Sequence, residues 1–236
     1  CNTGATSYAL ANKGAKKVFG SEFTGYKVAS VNQKNVSENL LREVSKELQE
    51  IRTELASTCI NTKAVTFVED DICNSQLPKN YFDIICSWDV LEHLHNTQAA
   101  FSAMAELLAP GGIIIHEYNP FFSLNGGHSL CTLDFLWGHT RLHNDDFKRY
   151  ITEIRPQETE MAHSFYTEGL NRMSLAQCQQ EIANAGLELI SLLPYAREPH
   201  VRMVTNDVLN QTKAHYPQVQ FMDLVATRVV LVARKR

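Results

Sequence analysis

Short apolar runs alternate with amphipathic stretches through the first half of the chain, and the two periods can be told apart. Ala5 to Lys13 predicts a helix, stopped by Gly14 as a C-terminal cap. Lys17 to Phe23 predicts a strand. Leu40, Leu41, Val44, Leu48, Ile51 and Leu55 recur at helical spacing within a long charged helix from Val36 to Ser57. Ala64 to Val68 reads as a short strand. Phe82 to Ser87 is nearly all apolar, as suits a strand covered on both faces. A helix from Thr97 to Leu108 ends at Pro110-Gly111-Gly112, and Ile113 to Tyr118 is the next strand. The rhythm breaks after Asn119-Pro120. From Phe121 to about Thr167 no single period holds, and a stretch of that length is typically a lid or binding loop. Order returns with a helix from Ser174 to Ala185 and a strand from Leu187 to Leu193. A helix from Thr205 to His215 and a Val-rich strand from Ala226 to Ala233 follow. Strands alternating with helices predict an α/β fold.

Composition narrows the reading. The 236 residues suit one large domain with an insert, big enough to fold without a metal or disulfide staple. Twenty-two basic and 26 acidic residues leave a net charge of -4, which argues against a nucleic-acid or anionic-membrane surface. No apolar run reaches the roughly 18 residues of a membrane span. Cys1, Cys59, Cys73, Cys86, Cys131 and Cys178 form no C-x-x-C pair. Scattered single cysteines suit a reducing compartment, so a cytoplasmic protein is expected.

Four sequence blocks carry a resemblance. The first is Cys1-Asn2-Thr3-Gly4-Ala5-Thr6-Ser7, and the second is Val18-Phe19-Gly20-Ser21-Glu22. The third is Val68-Glu69-Asp70-Asp71-Ile72. The fourth runs from Phe82 through Ser87-Trp88-Asp89-Val90-Leu91-Glu92-His93 to Leu107-Leu108-Ala109-Pro110-Gly111-Gly112. Together they resemble the class I S-adenosylmethionine-dependent methyltransferases of the small-molecule or glycan type. The resemblance implies a Rossmann-like doubly wound sheet, mostly parallel with an antiparallel last strand, and a cap after the fifth strand. It implies a single methyltransferase domain over 1–236, with 121–167 as a substrate-side insert. It also implies that the first strand and the first glycine of the loop precede Cys1. A sheet without that strand is expected to be poorly folded, and to be rescued by the missing segment.

The same resemblance assigns roles. Thr3 and Gly4 would border the cofactor, where a glycine loop admits backbone and a helix N-terminus favours a carboxylate. Glu22 would accept both ribose hydroxyls, as the acidic residue of dinucleotide folds does. Asp71 would meet the adenine amino group and Ile72 the ring edge, although adjacent acids are also common in solvated loops. Ser87 and Trp88 would lie over the methionine part, at the sheet edge where open α/β sheets bind ligands.

Methyl transfer from a sulfonium needs alignment and water exclusion, and an oxygen or nitrogen acceptor also needs a base. Histidine suits that task at neutral pH. His139 is the expected base and His128 the second candidate. Both lie in the insert beside Phe121, Phe122, Phe135 and Trp137, which would stack on an acceptor ring or form a satellite core. His93 reads either as a helix-start residue or as part of a site. Asp89-x-x-Glu92-His93 with His139 also resembles a magnesium set used by some methyltransferase branches, an alternative to the metal-free reading. The partner expected is a small-molecule or glycan acceptor. The rival from another class is a binding or regulatory module on the same fold without turnover. A nicotinamide dehydrogenase would share the glycine loop and the ribose acid but leaves the fourth block unexplained.

Overall fold

The computed structural model describes residues 2–23 and 38–236, with side chains described for 2–23 and 46–236. Cys1 of the first block, Val36 at the start of the long helix, and the side chains of Leu40, Leu41 and Val44 lie outside the described residues. The chain forms two compact units, Cys1–Asp71 and Ile72–Arg236, each with its own sheet.

In the first unit, α1 (Ala5–Asn12) leads to β1 (Val18–Glu22), then α2 (Glu38–Ser57) and β2 (Val65–Glu69). β1 and β2 pair in parallel, from Val18 opposite Val65 to Glu22 opposite Glu69. A parallel pair needs a crossover between its strands, and α2 lies in it. Leu48, Ile51 and Leu55 are half-buried, as the helical spacing requires. Ala11, Val18 and Ala64 form the small core.

The second unit contains β3 (Phe82–Trp88), α3 (Thr97–Leu107), β4 (Leu108–Tyr118), α4 (Asn144–Ile154), α5 (Thr159–Glu168), α6 (Leu175–Asn184), β5 (Leu187–Ala196), α7 (Asn206–His215) and β6 (Ala226–Lys235). The strand order is β3-β4-β6-β5. β3 and β4 are parallel, and β6 runs antiparallel to both β4 and β5, the antiparallel last strand that was expected. The sheet core gathers Phe101 and Met104 of α3, Ile114 and Tyr118 of β4, Cys178 and Ile182 of α6, and Val229, Leu231 and Ala233 of β6.

Two elements differ from the sequence expectation. Pro110-Gly111-Gly112 does not separate helix from strand. β4 already pairs at Leu108 opposite Phe82, and resumes at Ile113 opposite Ile84. The intervening residues bulge out, with Gly111 at φ 78°, a conformation that favours glycine. A Cβ on Gly112 would stand 2.8 Å from the Phe82 carbonyl oxygen, so close approach also demands glycine there.

The insert is helical. Beyond the single turns His128–Cys131 and Gly138–Arg141, it forms α4 and α5. α4 is strongly amphipathic and buries only Phe147 and Ile151, four apart on one face. Two buried positions in eleven residues are too sparse to stand out among the charged residues around them. The insert has its own core, built from Phe121, Phe122, Trp137, Phe147, Ile151 and Tyr166 and completed by Val208 of α7 and Leu224.

Candidate active site

In the first unit, the loop before α1 is held from two sides. Asn2 and Gly4 both have positive φ, at 44° and 80°. The Phe67 ring lies under the loop: a Cβ on Gly4 would come 2.5 Å from Phe67 Cζ, and one on Gly20 2.8 Å from Phe67 Cδ1. Both glycines are therefore required by one aromatic ring on the neighbouring strand. Tyr8 meets that ring edge-on, with centroids 5.7 Å apart, and the Arg52 guanidinium lies 4.4 Å from its centroid.

Glu22 ends β1 and turns its carboxylate to this loop. Its Oε2 accepts the backbone N–H of Asn2. Arg52 of α2 donates to the Asn2 carbonyl oxygen and stands 3.9 Å from the same carboxylate. The Asp70 N–H bonds the Glu22 carbonyl at 2.9 Å, so the third block begins beside the second. Thr3, Gly4, Glu22 and Asp71 all belong to this unit. Arg52 is the residue that sequence reading missed here. It looks like one more charge on a charged helix, and only its place on the half-buried face distinguishes it.

In the second unit, Ile72 opens a short 3-10 turn and Ser87 and Trp88 end β3. Ser87 lies opposite His116 of β4 and shares a 2.7 Å hydrogen bond with its Nδ1. Trp88 is exposed. The chain then turns sharply, with Asp89 at φ 53°. Asn119, at the end of β4, ties this turn down. Its side-chain amide donates to Asp89 Oδ1 at 2.6 Å, and its backbone N–H donates to Glu92 Oε1 at 3.1 Å.

Glu92 is 1% exposed, and burial raises its carboxyl to about 7. The single turn Leu91–His93 is clamped by Asn171. The Asn171 amide donates to the Leu91 and Leu94 carbonyl oxygens at 2.6 and 2.9 Å, and its N–H donates to Glu92 O at 2.8 Å. Asn171 also lines a cavity of about 810 Å³ with His95, Tyr166, Arg172, Gln177 and Tyr216. Neither Asn119 nor Asn171 carries a sequence signal beyond standing at an element boundary.

The histidines separate into two groups. His93 bonds the Gly169 carbonyl oxygen through Nδ1 at 2.7 Å, and its ring stands 5.1 Å from that of His128. Glu92, His93 and His128 each bring one ligand-capable atom within 4.8 Å of the others. His128 has φ 51°, unusual for a non-glycine residue and common where function holds a strained backbone. Burial lowers the pKa of both rings.

His139 stands elsewhere, 1% exposed in the insert core, with Nε2 on the Phe121 carbonyl oxygen at 2.8 Å. Burial lowers its imidazole to about 4. Its ring packs edge-on against Phe121, and its carbonyl oxygen receives the Tyr166 hydroxyl. Such a ring fixes the insert. Among the described residues the histidine whose ligand-capable atom converges with those of Glu92 and His93 is His128, whereas the magnesium alternative groups them with His139.

Residues 1–116 match the family model described as a methyltransferase domain. No curated protein matches the sequence. Among solved structures, an S-adenosylmethionine-dependent methyltransferase from Mesorhizobium loti is 11% identical, with TM-score 0.53 over 99% of this chain and 87% of that one. Geranyl diphosphate C-methyltransferase from Streptomyces coelicolor A3(2) is 9% identical, with TM-score 0.55 over 100% of this chain and 68% of that one. The [4+2]-cyclase SpnF is 16% identical, with TM-score 0.52 over 100% of this chain and 72% of that one. These likenesses agree on the fold. No helix among the described residues is long and apolar enough to cross a membrane. The family match over residues 1–116, the strand order and the Asn2–Glu22 contact agree: this part of the chain is a methyltransferase domain.

Proposed function

We propose that this enzyme transfers the sulfonium methyl group to an oxygen or nitrogen atom of a small-molecule or glycan acceptor. The acceptor atom attacks the methyl carbon opposite sulfur. The carbon–sulfur bond breaks with its electron pair passing to sulfur, and S-adenosylhomocysteine leaves. The sulfonium is already a strong electrophile, so the protein's work is alignment, exclusion of water and removal of the acceptor proton.

The observation that carries the reading is the Glu22 carboxylate, fixed at the end of β1 against the loop that opens α1. In this reading Glu22 takes the ribose hydroxyls. Thr3 and Gly4 border the carboxylate end of the cofactor, Asp71 and Ile72 the adenine, and Ser87 and Trp88 the methionine part. Acid–base work falls to the Glu92–His93–His128 cluster, where His128 stands and His139 does not. The 810 Å³ cavity beside Asn171 lies within the range of small-molecule sites.

Calorimetric titration with S-adenosylmethionine tests this. The wild type is expected to bind one equivalent, and Glu22→Ala to bind at least tenfold more weakly, the loss of about 1.4 kcal/mol. Equal affinity of both proteins refutes the ribose contact. Absence of binding by a folded wild type refutes the methyltransferase reading. A module that binds without turnover is the second reading, favoured by a [4+2]-cyclase among the proteins that share this fold. Binding with no methylated product from any acceptor would favour it.

A further inference from the structure

We infer that Glu92, His93 and His128 form a binding site for a divalent first-row transition metal ion of the Zn²⁺ class. The inference deepens the methyl-transfer reading and rests on it only for the metal's role, not for the site.

Three observations carry it. First, the donor atoms converge. One ligand-capable atom from each residue lies within 4.8 Å of the other two. Two donors bound to one ion at about 2.1 Å can stand up to about 4.2 Å apart, so a slight closure brings the three onto a common centre.

Second, two of these groups are left with buried polar atoms unsatisfied. Glu92 is 99% removed from solvent, and its Oε2 has no hydrogen-bond partner among the described residues. His128 Nε2 is buried and equally unpartnered. Buried polar atoms are ordinarily paired, and two orphans on residues of one converging cluster call for a ligand.

Third, the supporting bonds are those a metal site needs. A ligating histidine usually donates its other ring N–H to a carbonyl or carboxylate, which fixes the tautomer. His93 makes this bond through Nδ1 to Gly169 O at 2.7 Å, which fixes the orientation of its ring. Glu92 is oriented in the same way by the Asn119 N–H on its other oxygen. The three ligands come from two places in the chain, and His128 is held at φ 51° by its neighbours.

The ligand set decides the class of ion. Two imidazoles and one carboxylate suit zinc, manganese, iron or cobalt, whereas magnesium prefers oxygen ligands and retains its waters. Three protein ligands leave open positions, as catalytic sites do and closed structural sites do not. An acceptor oxygen entering an open position would become more acidic, which is how the cluster would serve the proton removal assigned to it above.

The test uses the tag-free full chain, stripped with a chelator that is then removed. Titration with Co²⁺, read by its visible absorption, and with Zn²⁺ by calorimetry, is expected to give one equivalent at low micromolar affinity or better. His128→Ala and Glu92→Gln are expected to weaken binding at least 100-fold, and His143→Ala to leave it unchanged. Circular dichroism shows whether each variant is folded. A misfolded His128→Ala is replaced by His128→Asn, whose smaller side chain suits the left-handed backbone. No stoichiometric uptake by folded wild type overturns the inference, as does uptake that both ligand variants leave intact. Uptake of Mg²⁺ but not Zn²⁺ overturns the class of ion. S-adenosylmethionine titration in parallel separates the two readings. Cofactor binding without metal uptake refutes the metal alone, and metal uptake without cofactor binding refutes methyl transfer alone.

Discussion

The second unit contains two cores of similar size and different construction. The sheet core is mostly aliphatic and follows strand alternation: Ile114, His116 and Tyr118 point one way from β4, and Val229, Leu231 and Ala233 do so from β6. The insert core is aromatic and tied by directional bonds. Trp137 Nε1 donates to Leu224 O at 3.1 Å, the Thr140 and Thr212 hydroxyls meet at 2.9 Å, and Tyr166 and Phe147 stack with centroids 4.0 Å apart. Arg172 lies 4.0 Å from the Phe121 ring centroid. Apolar packing tolerates volume-conserving exchange, whereas a buried directional bond fails when either partner is lost. The insert core supplies His128 and the Gly169 carbonyl to the site, so it trades tolerance for placement.

The largest effect that would break this comparison is Trp137→Ala. It removes a fully buried ring and leaves Leu224 O without its donor, at an expected cost of about 3–5 kcal/mol. Leu231→Ala in the sheet core is expected to cost about 2–5 kcal/mol. Urea denaturation followed by intrinsic fluorescence and by circular dichroism measures both. Coincident transitions by the two probes in both variants would mean that the cores unfold as one.

Acid sharpens the comparison, because each core buries one neutral histidine. His116 and His139 titrate at about 4 in the fold, lowered by burial from 6.5. Between these values the unfolded chain binds more protons than the folded one. The contribution is therefore complete above about pH 6.5 and is lost as pH falls toward 4, by about 3 kcal/mol per histidine. His116→Asn and His139→Gln should each flatten part of the fall in urea midpoint between pH 7 and pH 4.5. A fall unchanged in both variants would place the acid sensitivity elsewhere.

Gly126→Ala gives a smaller effect confined to the insert. Its Cβ would stand 2.1 Å from the Phe121 carbonyl oxygen and 2.3 Å from that of Pro120, and backbone cannot yield as a side-chain tip does. The expected cost is about 1–3 kcal/mol, read as a lower midpoint. Gly14→Ala tests the opposite situation. Open space surrounds Gly14, so any loss there comes from its φ of 99° alone.

Sheet elements were legible because strand and helix periods appear in apolar residues a few positions apart. β3, α3, β5 and β6 lie within a few residues of where the pattern put them. The insert was illegible for the reason that makes it work. Its core draws on Phe121, Trp137, Phe147, Tyr166, Val208 and Leu224, which are scattered along the chain, so no local window holds a period. The Glu92-His93 pair was visible as a motif, and His128 as a histidine after two glycines. That these three meet, and that His139 turns to Phe121 instead, depends on contacts far apart in sequence.

By itself, the sequence determined the α/β rhythm, the glycines at positions 4 and 20, the acid at position 22 and the block from Phe82 to Gly112. Each is a local demand of backbone conformation, strand burial or charge at a strand end. Only the tertiary structure decided which histidine joins Glu92. The choice comes from how the insert folds back against the end of β4, where Asn119, Gly169 and Asn171 set the geometry through backbone bonds that any residue type offers. Backbone donors and acceptors leave no mark on composition, and so a site built on them is seen only once the chain is folded.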